Sequence, residues 1–211
     1  MTAGHCMCSG SGKLLENRIR VTIGEHDLKI KNSKEIDKKV IKIHFHPKYQ
    51  CGKFIDDIAL LELENDIYWT KSIGPACLPK NYDNDNDLTN RSATLAGWGW
   101  LNEKYSEGRR PDILQKVQVN VFDNDKCRDW YSSQGKNVKI LNTQLCAGHE
   151  SGGKDACWAD SGGPLMISES DNSVTVVGVV STGIGCGRPK LPGIYTRITE
   201  YIPWILNVIN N

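Results

Sequence analysis

The sequence contains no long hydrophobic run. Its best apolar stretch, residues 174–180, has the length of a β-strand and is far short of the ~18 residues that a membrane-spanning helix needs. The chain also begins without the basic and apolar segments of a signal peptide. It lacks an excess of charge of one sign, because 26 Lys and Arg face 25 Asp and Glu. We therefore expect neither a nucleic-acid partner nor a membrane partner.

Cysteine is plentiful, with eight residues in 211. Such a number indicates disulfide bonds and an oxidising compartment, so the sequence predicts a secreted, extracellular protein. Metal binding is the alternative. Only Cys6 and Cys8 are close-set, and their spacing matches no recognised zinc motif, so no metal is expected there.

Three segments together offer the parts of a nucleophilic site. The segment DSGGP (160–164) supplies Ser161, TAGHC (2–6) supplies His5, and DDIALL (56–61) supplies an aspartate. A serine hydroxyl needs a base to take its proton and a third group to orient that base. Alone, Ser161 would be interpreted as a turn serine and His5 as a surface histidine. In the order His, Asp, Ser the three segments predict a Ser-His-Asp triad.

Further motifs extend this pattern along nearly the whole chain: GWG (97–99), LCAG (145–148), DAC (155–157), PGIYT (192–196) and WI (204–205). With the three triad segments, they make the chain resemble the trypsin-like (chymotrypsin-fold) serine proteases, in particular the arthropod clotting and clip-domain type. The resemblance implies an all-β fold of two packed antiparallel Greek-key β-barrels with a C-terminal helix. It places the first barrel at residues 1–90 and the second barrel and helix at residues 91–211.

The resemblance also implies that the chain starts late. Members of the family have several strands before the triad histidine, which is residue 5 here, so we expect an N-terminally truncated domain whose first barrel is incomplete; a true start at Met1 is the alternative. Family members are made as zymogens, and activation frees an ammonium terminus that pairs with the aspartate before the nucleophile, here Asp160. Without that ion pair, the chain as given is expected to be inactive.

The triad roles follow from the resemblance. Ser161 would attack the scissile carbonyl, His5 would act as general base and then general acid, and Asp57 would orient the imidazole. Asp56 is an adjacent alternative, but the family aspartate directly precedes Ile-Ala-Leu, which favours Asp57. The oxyanion hole would use the N–H groups of Ser161 and Ala159. The family has glycine at the second position, so either the alanine strains the loop and lowers turnover, or the loop adjusts at little cost.

Specificity is expected from a pocket beside the nucleophile. Asp155 lies six residues before Ser161, where trypsin-like enzymes place a carboxylate that pairs with Arg or Lys of the substrate; a surface loop charge is the alternative. The remaining pocket residues are the segment Ser181, Thr182, Gly183, the wall residue Gly193, and Trp158 at the rim. Two of these residues depart from the family, because Thr182 replaces a tryptophan and Trp158 replaces a residue that is more often polar.

Disulfide pairs also follow from the resemblance. Cys127–Cys146 and Cys157–Cys186 match family pairs, and we expect Cys8 and Cys51 to form an additional bond. Cys6 and Cys77 match positions whose partners lie upstream. For Cys77, that partner would be in a propeptide or light chain.

The sequence offers two weaker candidate sites. Glu25, Asn32 and Glu35 lie where some family members bind calcium through oxygen ligands, although nearby lysines favour an ordinary charged loop. Otherwise no cofactor is expected. Asn90-Arg91-Ser92 is a glycosylation sequon, which has meaning only in a secreted chain.

The hydrophobic pattern predicts the elements that carry these residues. Strands are expected at residues 17–25, 39–44, 58–63, 94–100, 113–121, 173–180 and 193–198, with a solvated connection at 81–90. A helix is expected at residues 199–209, with Thr199 as N-cap and Pro203 in the first turn.

Two functions therefore remain open. The first is a serine endopeptidase that cleaves after Arg or Lys and is activated from a zymogen. The second is a non-catalytic protease homologue that acts as a binding or cofactor module. The complete triad favours the first, whereas Ala159, Thr182 and the late start leave room for the second.

Overall fold

The chain folds mainly into β-strands, as predicted. The computed structural model describes residues 1–10, 12–30, 35–79, 88–104, 106 and 108–210. The strands in this part of the chain are Cys8–Ser9 (β1), Gly12–Lys13 (β2), Arg20–Ile23 (β3), Ile36–Phe45 (β4), Ala59–Leu63 (β5), Ser92–Gly97 (β6), Gln115–Phe122 (β7), Gln144–Gly148 (β8), Pro164–Ser168 (β9), Val174–Thr182 (β10) and Gly193–Arg197 (β11). Two short α-helices are Asn124–Ser133 (α1) and Ile202–Ile209 (α2), and 3₁₀ turns lie at Gly4–Met7, Glu16–Arg18 and Ile198–Tyr201.

The C-terminal half contains a closed antiparallel barrel with strand order β10-β11-β8-β7-β6-β9. Its strands bury alternate side chains because successive residues of a strand point to opposite faces. On β7, for example, Val119 and Val121 are buried in the barrel core, whereas Gln118 is exposed. This barrel supplies the loops that carry Asp155 and Ser161, and Ser181 lies near the end of β10.

The N-terminal half contains an open sheet, β3-β4-β5, and a separate hairpin, β1-β2. Its core is formed by Met7, Val40, Ile43 and Ala59. Thr2 pairs with Ala59 through two backbone hydrogen bonds of 2.9 Å, which join the start of the chain to β5. The two-barrel fold with an incomplete first barrel is therefore confirmed. The division of the chain at residue 90 stays a prediction.

The C-terminal helix begins later than predicted. Thr199 does not cap it; residues 198–201 form a 3₁₀ turn and Tyr201 is the residue before α2. The reason is Pro203, which has no N–H to donate to the carbonyl of residue 199 and whose ring would clash with that carbonyl. Proline fits only in the first turn, so the α-helix starts at Ile202.

Strand β3 is shorter than predicted because residues 16–18 form a 3₁₀ turn.

Helix α1 was not predicted from the sequence. The side chain of Asp123 caps α1 by accepting hydrogen bonds from the N–H groups of Asp125 (2.7 Å) and Lys126 (3.2 Å). Cys127, Trp130 and Tyr131 form its buried face at helical spacing. An aspartate before that spacing was the signal that could have identified the helix.

No helix in the described ranges is both long and apolar enough to cross a membrane. Of the connection predicted at 81–90, residues 81–87 lie outside the described residues.

Candidate active site

His5 and Asp57 form a close pair although 52 residues separate them. The Nδ1 atom of His5 lies 2.7 Å from Oδ2 of Asp57, and the backbone N–H of His5 donates to Oδ1 at 2.8 Å. The pairing of Thr2 with Ala59 places the two segments side by side. This arrangement fixes the orientation of the imidazole relative to the carboxylate.

The carboxylate of Asp57 is almost completely buried, with 1 % of its surface exposed. A buried carboxylate is costly unless it is hydrogen-bonded. Besides the two contacts from His5, Oδ2 accepts a hydrogen bond of 2.5 Å from the Ser181 hydroxyl, and the backbone carbonyl of Asp57 accepts one from Thr196 (2.8 Å). The adjacent Asp56 instead accepts from the hydroxyl of Tyr201, so Asp57 is the aspartate that faces His5.

Burial by itself lowers the pKa of the His5 imidazole. The hydrogen bonds to Asp57 and Cys6 and the negative charge of Asp57 outweigh this effect, so the pKa is raised above its ordinary value. The second ring nitrogen, Nε2, lies 3.7 Å from Sγ of Cys6.

Ser161 lies on an exposed turn that packs against the His5 segment. Gly162 has φ 80°, and a side chain there would overlap Oγ1 of Thr2 and crowd Sγ of Cys6. The N–H of Gly162 donates to the Val180 carbonyl at 2.8 Å, which ties the turn to β10. Glycine is thus required for this close approach. As a result, His5 and Ser161 line the same cleft, whose volume is about 250 Å³.

Asp155 lies in the same cleft. Its Oδ1 accepts a hydrogen bond from the Ala156 N–H (2.8 Å), and its Oδ2 accepts one from the Gly187 N–H (3.0 Å). Gly193 lies so close that a Cβ there would be 3.0 Å from Oδ1. Burial, opposed by these backbone hydrogen bonds, raises the pKa of Asp155 to about 6. A cationic ligand beside this carboxylate would stabilise its charged form.

Comparison with known protein families agrees with this geometry. The family model described as Trypsin matches residues 1–205. The chain belongs to the trypsin family. The match and the relatives below support a serine protease function for the family domain.

Three similar proteins of the trypsin family come from arthropods. The chain is 39 % identical over 207 residues to the serine proteinase stubble of Drosophila melanogaster, covering 97 % of this chain and 25 % of that protein. It is 34 % identical to the proclotting enzyme of Tachypleus tridentatus, covering 97 % of this chain and 54 % of the enzyme. It is also 34 % identical to trypsin-1 of Astacus astacus, covering 97 % and 81 %. The predicted resemblance to clotting-type arthropod proteases is thus confirmed. The chain spans less than two thirds of the length of the first two of these relatives.

Ala159, where the trypsin-like pattern has glycine, adopts a left-handed backbone with φ 73°. This region favours glycine and costs an alanine about 1–2 kcal/mol. The next residue, Asp160, holds the loop through its carboxylate, which accepts hydrogen bonds from the N–H groups of Gly99 (2.8 Å) and Cys157 (2.9 Å). The loop therefore keeps a glycine-like conformation in spite of the alanine, at the cost of backbone strain.

Trp158 and Thr182 both line the cleft that contains Asp155. Trp158 is 58 % exposed, and its indole N–H donates to the carbonyl of Glu103 at 3.3 Å. Arg188 forms a two-pronged ion pair with the same Glu103, and this pair was not anticipated from the sequence because it joins residues 85 positions apart. Two loops thus hold the tryptophan at the rim.

A second cavity, of about 260 Å³, lies beyond Thr182. It shares Thr182, Gly183 and Phe54 with the first cleft. The ring of Phe54 also contacts the His5 imidazole edge-on at 5.4 Å between centroids, a contact that sequence reasoning missed. The other apolar side chains of this cavity are Ile55, Tyr131, Val138, Ile184 and Ile194.

The structure contains the three expected disulfide bonds. Cys157–Cys186 joins the two loops that flank the Asp155 pocket, Cys127–Cys146 anchors α1 to β8, and Cys8–Cys51 joins β1 to the loop before Asp57. Cys6 and Cys77 are free thiols in this chain.

The calcium prediction remains untested. Asn32 lies outside the described residues, and Glu25 accepts a hydrogen bond from the His26 N–H at 2.8 Å. In the described ranges no group of three or more His, Cys, Asp or Glu side chains could hold a metal ion.

Proposed function

We propose that this domain is a serine endopeptidase that hydrolyses peptide bonds after Arg or Lys. The observation that supports this most strongly is the convergence on one cleft of the His5–Asp57 pair, Ser161 and Asp155. The first three are the parts of a nucleophilic triad, and the fourth is a partly buried carboxylate suited to a cationic side chain.

In the proposed reaction, the Ser161 hydroxyl attacks the scissile carbonyl while His5 takes its proton. Asp57 holds the imidazole through Nδ1 and stabilises the imidazolium that forms. His5 then returns the proton to the leaving amine, and water hydrolyses the acyl-enzyme by the same sequence of steps. The N–H groups of Ser161 and Ala159 would donate to the oxyanion.

The proposed substrate is a protein segment with Arg or Lys in the Asp155 pocket. The residues before that basic residue would lie along Ser181, Thr182 and Gly183 and reach the second cavity. Because Thr182 is small and the cavity walls are mainly apolar, we expect an apolar side chain to be accommodated there.

We further propose that the whole protein is made as a zymogen. A cavity of about 200 Å³ adjoins Asp160 and is lined by Gly97, Gly99 and Trp100 among others. An ammonium group freed by cleavage would pair there with the Asp160 carboxylate and replace its backbone contacts. Cys77 would link the domain to an upstream propeptide.

The second candidate, a non-catalytic homologue, is supported by the strained Ala159. The two candidates are separated by assaying the activated protein and its Ala159→Gly variant on an arginyl amide. A protease hydrolyses the amide, and the glycine raises turnover about 2–10-fold because it relieves strain at an oxyanion donor. The matched control is Asn172→Gly, which replaces another left-handed residue (φ 63°) on the β9–β10 turn and should leave turnover unchanged.

If neither the parent nor Ala159→Gly hydrolyses the amide, although both bind an aromatic amidine that mimics arginine, the binding-module function is favoured instead. Lower turnover in Ala159→Gly would show that the alanine is not a source of strain.

We also propose that the protein is secreted and carries a glycan on Asn90. Asn90-Arg91-Ser92 is the only Asn-x-Ser/Thr sequon in the sequence, and all three residues are exposed. The sequon ends at Ser92, the first residue of β6, and the other end of that strand, at Gly97, packs on Asp160. Six strand residues separate the two ends by roughly 17 Å, so a glycan on Asn90 leaves the cleft open.

After secretion from a eukaryotic host, enzymatic removal of N-linked glycans should lower the mass of the parent protein. It should have no effect on Asn90→Gln, whereas Asn172→Gln, which alters no sequon, should behave as the parent. An unmodified Asn90 in the secreted parent would refute the assignment.

A further inference from the structure

The residue next to the triad aspartate has an unusual backbone. Asp56 is in the left-handed region with φ 51°, and its carbonyl accepts a hydrogen bond of 2.8 Å from the N–H of Ile58. Asp57 is therefore the central residue of a tight three-residue turn. The direction of its side chain depends on this turn, because residues 56 and 58 fix the backbone on both sides.

The carboxylate of Asp56 is anchored to the C-terminal end of the chain. The Tyr201 hydroxyl donates to Oδ1 at 2.9 Å, and Nδ1 of His46 lies 3.8 Å from the same oxygen. Tyr201 is only 3 % exposed, and burial raises the pKa of its hydroxyl, so it stays protonated and can donate. The ring of His46 contacts Tyr201 and Trp204 edge-on, with centroids 5.0 and 5.3 Å apart. The hydrogen bond from Tyr201 to Asp56, which we call the anchor, thus lies beside a packed group of aromatic rings.

The surrounding core joins the same elements. Tyr201 shares one apolar cluster with Ala3, two residues before His5, and with Ile58, the residue after Asp57. Ile202 and Ile205 of α2 complete this contact. The segments that contain His5 and Asp57 therefore pack against α2, which begins directly after Tyr201.

We infer that the hydrogen bond from Tyr201 to Asp56 is a positioning device for Asp57. It fixes the 56–58 turn and so keeps the buried carboxylate directed at His5. This inference rests on the proposed function, because its consequence for catalysis is that the Asp57–His5 contact is lost when the anchor is removed. Asp56 and Tyr201 act through Asp57 and have no contact with substrate in this proposal.

Three variants separate the anchor from the backbone conformation. Asp56→Asn keeps an oxygen acceptor and tolerates the left-handed region, whereas Asp56→Gly fits that region better still but removes the acceptor. Tyr201→Phe keeps the ring and removes the donor. In the activated protein, we expect Asp56→Gly and Tyr201→Phe to lower kcat on an arginyl amide about 10-fold, with KM within about twofold, because a displaced catalytic group slows the reaction. Asp56→Asn should retain most of the turnover.

The titration of His5 provides a readout that a purely structural role would not change. The titratable groups that face His5 are Asp57 and Cys6, and contact with Asp57 raises its pKa. Loss of that contact in Asp56→Gly and Tyr201→Phe should lower the His5 pKa, so the acid limb of kcat/KM should move to lower pH. The matched control is Ile205→Val, which loosens the same cluster and should lower the unfolding midpoint without moving this limb.

The same titration can be followed by NMR of the His5 ring protons, assigned by their absence in His5→Asn, and this measurement requires no activity. If the parent is inactive, the proposed function fails, but a His5 pKa lowered in Asp56→Gly and Tyr201→Phe and retained in Asp56→Asn still supports the positioning role. A His5 pKa that is equal in the parent and all three variants would overturn it.

Discussion

Replacement of Ser161 by alanine is expected to lower turnover of an arginyl amide by at least about 10⁴-fold in the activated protein. The variant keeps His5, Asp57 and the backbone donors but removes the atom that forms the acyl-enzyme. Ser161 is exposed on its turn, so the unfolding midpoint should change little. The measurement is the initial rate of amide hydrolysis together with covalent labelling by an organic fluorophosphonate, which should mark the parent and not the variant.

The matched control is Ser9→Ala, because Ser9 is an exposed serine on β1 that does not line the cleft. Its rate and its labelling should equal those of the parent. Hydrolysis by Ser161→Ala at more than about 1 % of the parent rate would identify another nucleophile and contradict the triad.

Replacement of Asp155 by serine is expected to lower kcat/KM on arginyl and lysyl amides by about 10²–10⁴-fold. Without the carboxylate, the cationic side chain would enter a desolvated pocket with no partner, at a cost of about 3–5 kcal/mol. Asp125→Ser, a substitution of an exposed aspartate on α1, is the matched control and should leave kcat/KM unchanged.

The pKa of Asp155 adds a pH test. Because burial raises it to about 6, the carboxyl becomes neutral as the pH falls through that value and loses its attraction for a cation. The inhibition constant of an aromatic amidine should therefore rise below about pH 6 in the parent and stay level in Asp155→Ser. A level profile in both proteins would show that the amidine binds elsewhere.

Local signals in the sequence were sufficient for most of the strands and for the chemistry of the cleft. Alternating apolar residues identify β7, and the segments around His5, Asp57 and Ser161, weak signals singly, identify the family when they occur together in that order. Asp57 could be distinguished from Asp56 because the residues after it match the family pattern. In the structure, Asp57 is the aspartate that bonds to His5.

The features that sequence could not predict depend on long-range contacts. The contact of Tyr201 with Asp56 joins residues 145 positions apart, and the ion pair of Glu103 with Arg188 joins two loops. The predicted start of α2 was wrong. The prediction followed the helical spacing of the apolar residues and did not allow for the effect of Pro203 on the carbonyl of residue 199. For Ala159, the sequence left two outcomes open, and only the backbone angle shows that the alanine occupies a glycine-like conformation.

Cleavage after Arg or Lys is tested most directly by mapping the bonds that the activated protein cuts in a mixture of unrelated peptides. Mass spectrometry of the products identifies the residue on the amino side of each cleaved bond. We expect cleavage after Arg and Lys, with all products absent in Ser161→Ala. Cleavage without preference for basic residues, or the same products from Ser161→Ala, would contradict the assignment of the Asp155 pocket or of the triad.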